Sequence, residues 1–197
     1  MVTTPRRRLH PDERRNQLID IGARLFATHP YEEVLMEQVG AEAGVSRALV
    51  YRYFPTKRDL FAAIYQRAAD RLLAATETGR HGSLTDWVRA GLDAHIDFFA
   101  DNARTTLAAN RELAGDPVIQ GIISAELGAL RGLMVEAAAV PGDRRELVSA
   151  ALLAWLSFVR VLCVEWLQHR AFSRDELRET CLRALSGILH GGAGEDG

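Results

Sequence analysis

Apolar side chains recur every three to four residues along almost the whole chain, the spacing of one face of an α-helix. No stretch longer than a few residues alternates apolar and polar side chains as a half-buried strand does. The sequence therefore predicts an all-helical protein. With 197 residues, 48% of them hydrophobic, the chain can form one domain or a small domain joined to a larger one.

Prolines, glycines and capping pairs divide this pattern into nine predicted helices. Thr56 with Asp59, Ser83 with Asp86, and Ser173 with Glu176 have the spacing of capping boxes, and Asp116-Pro117 is an N-cap followed by a first-turn proline. The predicted helices span about residues 11–28, 36–43, 47–54, 57–79, 84–101, 104–113, 117–140, 143–170 and 174–190.

Composition excludes several other classes of protein. Cys163 and Cys181 lie in apolar helical stretches without metal-ligand spacing, which indicates a reducing compartment and no zinc site. No apolar run follows the arginines at residues 6–8, as a signal peptide would require. The most apolar stretch, 147–159, is too short to span a bilayer and Arg160 follows it. We therefore expect a cytoplasmic protein with no membrane partner.

The segment Val39–Phe54 has the spacing of a helix-turn-helix. Gly40 places a small residue where two short helices cross, and Gly44 places a flexible one in the turn. Inward contacts are predicted for Val39, Ala43, Val45 and Val50. The outer face of the second helix carries donors or small groups that could reach DNA, namely Arg47, Ala48, Tyr51 and Arg52.

The residues after this segment also suit a phosphate backbone. Lys57 and several backbone N–H groups come at the start of the fourth predicted helix, and helix N-termini bind phosphate well. Tyr51 and Tyr53 could donate their hydroxyl groups to the same backbone. Packing in a small core is the alternative for both tyrosines; it is about even with a DNA contact for Tyr53 and less favoured for Tyr51.

Charge is unevenly distributed along the chain. The net charge of −2 at first argues against a nucleic-acid partner. However, residues 1–60 hold ten basic and eight acidic side chains, whereas residues 61–197 hold fourteen basic and eighteen acidic ones. A modestly basic N-terminal part is therefore expected to precede an acidic body.

The sequence resembles the TetR family of bacterial transcriptional regulators. The resemblance rests on the run V-G-A-E-A-G-V-S-R-A-L-V-Y-R-Y-F-P-T-K-R-D-L-F at Val39–Phe61 and on I-G-A-R-L-F at Ile21–Phe26. It is strong over about residues 14–61 and only architectural beyond. Two positions depart from the family pattern: Leu35 replaces the usual serine or threonine that opens the second helix, and Gly40 replaces the usual alanine.

This resemblance implies a division of the chain and a set of DNA-contacting residues. It implies a helix-turn-helix domain at 11–56 and a helical ligand-binding and dimerisation domain at 57–197. Residues 1–10 would form a flexible basic arm, which could contact DNA or remain a solvated tail. By resemblance, Arg47 lies where base edges or phosphates are contacted, Tyr51, Tyr53 and Lys57 lie at phosphate-contacting positions, and Ser46 is the helix cap. Together with Ala48 and Arg52 of the outer face, the predicted DNA-binding residues are Ser46, Arg47, Ala48, Tyr51, Arg52, Tyr53 and Lys57.

The C-terminal part carries the candidate ligand-binding residues. These are Trp87, His95, Phe98, Phe99, Asn110, Arg111, Trp155 and Phe158. Ordinary core packing is the favoured alternative for each aromatic residue, whereas His95 and Asn110 are polar groups that need a partner if buried. Arg160 could pair with an acidic ligand, with a carboxylate across a dimer, or with water.

The resemblance also implies a homodimer on a palindromic double-stranded operator, with the last two helices of each subunit forming a four-helix bundle. No catalytic motif or cofactor site is predicted. Glu165 and His169, four residues apart on one helix face, have a spacing that could ligate a metal, but the sequence lacks the second such pair that a two-metal helical bundle requires, so no metal site is predicted. The expected function is that of a repressor released from its operator by a largely apolar small molecule. Two alternatives remain: an activator of the same family, or a helical sensor with a weakened DNA-binding half.

Overall fold

The computed structural model describes residues 9–78, 83–139 and 141–190, and this part of the chain is helical without any strand. Its α-helices are α1 (Pro11–Thr28), α2 (Met36–Ala43), α3 (Arg47–Tyr53), α4 (Lys57–Thr78), α5 (Leu84–Asp101), α6 (Ala103–Asn110), α7 (Pro117–Ala137), α8 (Arg145–His169) and α9 (Arg174–His190). The predicted all-helical architecture with nine helices is confirmed within the described ranges. A short 3-10 helix at Tyr31–Glu33 was not predicted, and α6 and α7 each end three residues early.

Side-chain caps explain why most helix starts fall where the sequence places them. Ser46 Oγ accepts a hydrogen bond from the Leu49 N–H at 3.3 Å. The Thr56 N–H donates to Asp59 Oδ2 at 3.0 Å, while the Asp59 N–H donates to Thr56 Oγ1 at 3.1 Å. Each cap satisfies an N–H group that has no partner within the helix, so the first turn is fixed by local sequence.

The chain divides into two compact units, residues 1–65 and 66–197, with the division inside α4. In the first unit, Phe26 and Phe61 are buried and meet edge to face with ring centroids 5.1 Å apart. A Cβ at Gly22 would lie 2.9 Å from Ile64 Cδ1, so α1 and α4 are in close contact there. The start of α4 thus completes the core of the first unit, beyond the predicted domain limit at residue 56.

In the second unit α8 packs against α5, α6, α7 and α9. Both α7 and α8 are long and apolar enough to cross a membrane by length and composition. The apolar stretch predicted from the sequence, residues 147–159, was therefore too short. Leu152, Val159 and Cys163 of α8 are nonetheless buried inside the unit. Their apolar character is that of core helices, which must be covered on several sides.

Candidate nucleic-acid interface and ligand cavity

The turn between α2 and α3 depends on two glycines. Gly44 has the left-handed conformation (φ 60°, ψ 43°), which glycine adopts without steric cost. A Cβ at Gly40 would lie 3.2 Å from the Val45 carbonyl oxygen and 3.3 Å from Val50 Cγ2. The Val45 N–H donates to the Gly40 carbonyl at 2.9 Å and closes the turn. Close crossing and reversal together produce a helix-turn-helix geometry.

The inner and outer faces of this motif separate cleanly. Val39, Ala43 and Val50 are buried, while Val45 is partly exposed. On the outside, Arg47, Ala48 and Arg52 are exposed, and Tyr51 and Tyr53 are half-buried. With the cap Ser46, six of the seven predicted DNA-binding residues therefore lie on α3 or at its start, and Lys57 begins α4. Most of the predicted arm at 1–10 lies outside the described residues.

Arg47 is held in place by two neighbours. Its Nη1 lies 2.9 Å from Glu37 Oε1, and its Cζ lies 5.2 Å from the centroid of the Tyr51 ring. Sequence reasoning missed Glu37, because the contact crosses the turn from α2 and leaves no local pattern. The pair is exposed and contributes little to stability. Its effect is to orient the guanidinium while placing a negative charge on the outer face.

Lys57 has a structural role that the sequence did not reveal. Its Nζ donates to the Tyr31 carbonyl at 2.8 Å and to the Glu32 carbonyl at 2.9 Å. The same atom lies 4.7 Å from the centroid of the Tyr31 ring. An ammonium group has three donors, so two N–H groups fasten the 3-10 helix and one remains. A phosphate contact by Lys57 stays a prediction.

Leu35 opens α2 without a side-chain acceptor and is exposed. Only the reciprocal half of a capping box is formed, in which Gln38 Oε1 accepts from the Leu35 N–H at 2.8 Å.

The second unit contains a cavity of about 60 Å³ with an almost entirely apolar wall. Four helices contribute to it: α4, α5, α7 and α8. The lining residues are Leu72, Thr76, Trp87, Val88, Gly91, Leu92, His95, Leu127, Leu130, Met134, Trp155, Leu156 and Val159. Three of the eight predicted ligand-binding residues are among them: Trp87, His95 and Trp155. The three α7 residues were missed, because helical spacing shows that a face is buried but not what it meets.

His95 is about nine-tenths buried, and its Nε2 has no hydrogen-bond partner within the described residues. Its ring packs on Phe99 with centroids 4.2 Å apart. Burial, reinforced by the positive charge of Arg160, lowers the pKa of His95 to about 3. The imidazole is therefore neutral at physiological pH.

The other five predicted ligand-binding residues do not line this cavity. Phe99 is buried and packs on the His95 ring, Phe98 is half-buried, and Phe158 is exposed. Asn110 already has partners, since its Oδ1 accepts from Arg160 Nε at 2.9 Å and its Nδ2 donates to the Thr106 carbonyl at 2.7 Å. Arg111 lies at the surface, where it bonds to Glu165 and, at 3.1 Å, to Gln168 Oε1.

Arg160 pairs with a carboxylate of its own chain, a partner outside the three that the sequence suggested. Its Nη1 lies 3.3 Å from Glu126 Oε2, and both side chains are buried. Its Cζ lies 5.4 Å from the centroid of the Phe99 ring. Burial raises the pKa of Glu126, and the adjacent guanidinium opposes that rise. The apolar helix α8 therefore carries a compensated charge into the core.

The cysteines and the Glu165–His169 pair show no reactive arrangement. Burial raises the pKa of Cys163 to about 12 and that of Cys181 to about 11, so both are protonated thiols at neutral pH. Across the part of the chain that the structure describes, no three His, Cys, Asp or Glu side chains group as a metal site would require.

One side of α8 carries an exposed apolar strip, which we call the α8 stripe: Leu147, Ala154, Phe158 and Val161. The exposed fractions are 69% for Leu147, 39% for Phe158 and 63% for Val161. Leu147, Ala154 and Val161 recur every seven residues, the spacing of a helix-packing seam. On α9, Leu182, Ile188 and Leu189 are half-exposed. Exposed apolar side chains recurring along one side of a helix make the α8 stripe a candidate interaction surface.

Comparison with known proteins identifies the first unit's motif. Residues 18–64 match the family described as "Bacterial regulatory proteins, tetR family". The chain is 29% identical over 99 residues to the HTH-type transcriptional activator FasR of Mycolicibacterium smegmatis, covering 49% of this chain and 45% of FasR. It is also 29% identical over 109 residues to the HTH-type transcriptional repressor Rv1474c of Mycobacterium tuberculosis, covering 55% of each. The chain thus matches about half the length of these curated relatives.

Solved structures extend the similarity to both units. A tetR-family transcriptional regulator from Streptomyces coelicolor is 27% identical, with a TM-score of 0.78 and coverage of 91% of this chain and 82% of that one. FadR from Bacillus subtilis, solved in complex with stearoyl-CoA, shares the fold at 16% identity, with a TM-score of 0.66 and coverage of 89% and 98%.

Proposed function

The chain belongs to the TetR family of bacterial regulatory proteins, and from that premise we propose that it is a DNA-binding transcriptional regulator that responds to a small molecule. The observation that carries the proposal is the outer face of α3. It is exposed, rich in donors and set at a glycine-dependent crossing against α2. Such a face is what a recognition helix needs to enter the major groove.

Arg47 is the residue proposed to read a base. It lies in the first turn of α3, the part of a recognition helix that contacts base edges. Its guanidinium can pair with O6 and N7 of guanine, which requires release from Glu37 or a shared contact. Tyr51 and the remaining N–H of Lys57 are proposed to hold phosphates, which fixes the position of α3 without reading sequence.

The α8 stripe supports a homodimer. The stripe leaves apolar side chains uncovered in one chain, and a second copy related by two-fold symmetry would cover the same surface on both. A dimer would also present two α3 helices to successive major grooves, about 34 Å apart on a palindrome.

We propose that ligand binding acts through α4. Leu72 and Thr76 of this helix line the cavity, and Lys57 lies at its other end. A molecule larger than the cavity of about 60 Å³ would press on its walls, to which α4 contributes these two residues. If the displaced arrangement binds DNA less well, the ligand releases the operator. This favours a repressor, while the similarity to an activator keeps activation as the second candidate.

The test separates base reading from phosphate binding. Arg47→Ala should weaken binding to the specific site by about tenfold to a hundredfold while changing random-DNA affinity little, because one bidentate base contact is lost. Lys57→Ala should weaken both kinds of DNA alike and reduce the salt slope by about one, because one phosphate contact is lost. Fluorescence anisotropy with specific and random duplexes over a salt series measures both effects.

A control variant and a second measurement accompany this experiment. Arg71→Ala, which removes the same charge from an exposed position in the second unit, serves as the control and should leave the specific-to-random ratio unchanged. Lys57→Ala should also lower the melting temperature, since the Tyr31 and Glu32 carbonyls lose a donor. Equal losses for specific and random DNA in Arg47→Ala would contradict the assigned role.

A further inference from the structure

Among the described residues that line the cavity in the second unit, one buried side-chain polar atom has no hydrogen-bond partner. The indole N–H of Trp87 donates to the Thr76 carbonyl at 2.9 Å, and that of Trp155 donates to the Cys181 carbonyl at 2.8 Å. The Thr76 hydroxyl donates to the Leu72 carbonyl at 2.9 Å. Both indoles and this hydroxyl therefore already have acceptors in the protein. His95 differs: this residue lines the cavity, and its Nε2 is buried without a hydrogen-bond partner among the described residues.

A water molecule is a poor partner for this nitrogen. Buried waters are retained where two to four polar groups hold them, and the rest of this wall is apolar or already hydrogen-bonded. A ligand group that bonds His95 Nε2 would remove the penalty of an unpaired buried polar atom, while an apolar remainder would fit the rest of the wall.

The charges near the cavity favour a neutral ligand. The imidazole is uncharged, since burial holds the pKa of His95 far below neutrality. Arg160, whose positive charge helps to lower the pKa of His95, is paired with Glu126 and is not among the residues lining the cavity. The lining residues include no Asp, Glu, Lys or Arg, so neither an anionic nor a cationic group would find an opposite charge there.

We propose that this cavity binds a neutral, largely apolar molecule with a single hydroxyl or similar hydrogen-bonding group, and that His95 Nε2 selects that group. The inference rests on the proposed function, in which the second unit binds an effector. It goes further by assigning the effector's chemical class and the residue that discriminates it. His95 acts as a specificity residue; the apolar wall supplies the remaining contacts.

The size of the cavity determines the probes. A cavity of about 150 Å³ accommodates benzene in another protein, and this one measures about 60 Å³. A benzene-sized ligand is therefore expected to displace side chains. Met134 is the lining residue best suited to move, since its unbranched chain has several rotatable bonds. Small aromatic probes make the least demand on such movement.

The experiment uses phenol and toluene, which share a shape and differ by a hydroxyl in place of a methyl group. Their affinities for the full chain are measured by calorimetry or by ligand-observed NMR. Because toluene leaves water more readily, the informative quantity is the phenol-to-toluene affinity ratio. From wild type to His95→Leu this ratio should fall by about fivefold or more, since the leucine cannot pair with the hydroxyl. His95→Gln, which keeps a hydrogen-bonding group, should retain most of the preference.

Thr106→Val is the matched control, because it removes a buried hydroxyl that does not line the cavity and should leave the ratio unchanged. Circular dichroism checks folding, and if His95→Leu does not fold, the ratio is measured in His95→Phe, which also removes the hydrogen-bonding group but keeps a ring of similar size and should show the same fall. A ratio that changes by less than about twofold in His95→Leu, or failure of both probes to bind wild type, would overturn the inference. No DNA enters this experiment, so a chain that binds its operator specifically but neither probe contradicts this inference alone.

Discussion

A variant with Phe158→Glu and Val161→Glu is expected to be a monomer and to bind a palindromic site about a hundredfold more weakly than wild type. Both side chains belong to the α8 stripe and are exposed in the single chain. In the proposed dimer they become buried, and two carboxylates on each chain would lose water without gaining a partner. Multi-angle light scattering measures the mass, and gel shift measures the affinity.

The loss of affinity follows from the loss of the second half-site. In a dimer, docking of one α3 helix raises the effective concentration of the other at the adjacent groove. A monomer keeps its contacts to one half-site and loses this gain. Because Val161 is 63% exposed within one chain, the variant should retain its helical content.

The control for this variant is Ala125→Glu, which adds a carboxylate at an exposed position of α7 outside the stripe. It should remain dimeric and bind DNA as wild type does. If the stripe variant were dimeric with unchanged operator affinity, the assignment of the α8 stripe as the subunit interface would be wrong.

The second large effect is expected from Glu126→Ala, which should lower the free energy of unfolding by about 3–5 kcal/mol. The substitution leaves Arg160 buried without the carboxylate that lies 3.3 Å from its Nη1. A guanidinium cannot deprotonate at accessible pH, so the charge remains in the core. The Asn110 Oδ1 bond to Nε would remain and compensates only part of the loss.

Replacement of both Glu126 and Arg160 shows whether the stability lost in Glu126→Ala comes from an unpaired charge or from lost packing. Glu126→Leu combined with Arg160→Met should recover most of the stability lost in Glu126→Ala, because an apolar pair of similar volume often replaces a buried ion pair at little cost. Urea denaturation at one fixed protein concentration makes the values comparable even if the chain is dimeric. A loss below about 1 kcal/mol in Glu126→Ala would contradict the assigned burial of this charge.

The helices were predictable because their signals are local. Ser46, Thr56 and Asp59 specify helix starts through bonds to residues three positions away, and the structure forms those bonds. Gly40 and Gly44 are likewise readable, since a close crossing demands a very small residue and a left-handed turn favours glycine.

The ion pairs and the Lys57 contacts were not predictable, because their partners are distant in sequence. Arg47 meets Glu37 across the turn, and Arg160 meets Glu126 from a different helix. Lys57 binds carbonyls of a 3-10 helix that the sequence did not predict. Periodicity shows which side of a helix is buried, but choosing the opposing residue requires the packing of helices.

The residues lining the cavity were only partly predictable, for the same reason. Aromatic and polar residues in apolar helices identified Trp87, His95 and Trp155. Asn110 and Phe158 satisfied the same criterion and lie elsewhere, because one is bonded to Arg160 and the other faces outward. The sequence does not show whether a given face of a buried helix lies toward the cavity, toward another helix or toward the surface.

Sequence-specific DNA binding is the central claim, and competition binding tests it most directly. Fragments of the source genome are mixed with wild-type protein at about 0.15 M salt, and the bound fragments are recovered and titrated against random duplex of equal length. The proposal predicts a fragment with two-fold symmetric half-sites that binds about a thousandfold or more tightly than random DNA. Binding of every fragment with the affinity of random duplex would contradict it.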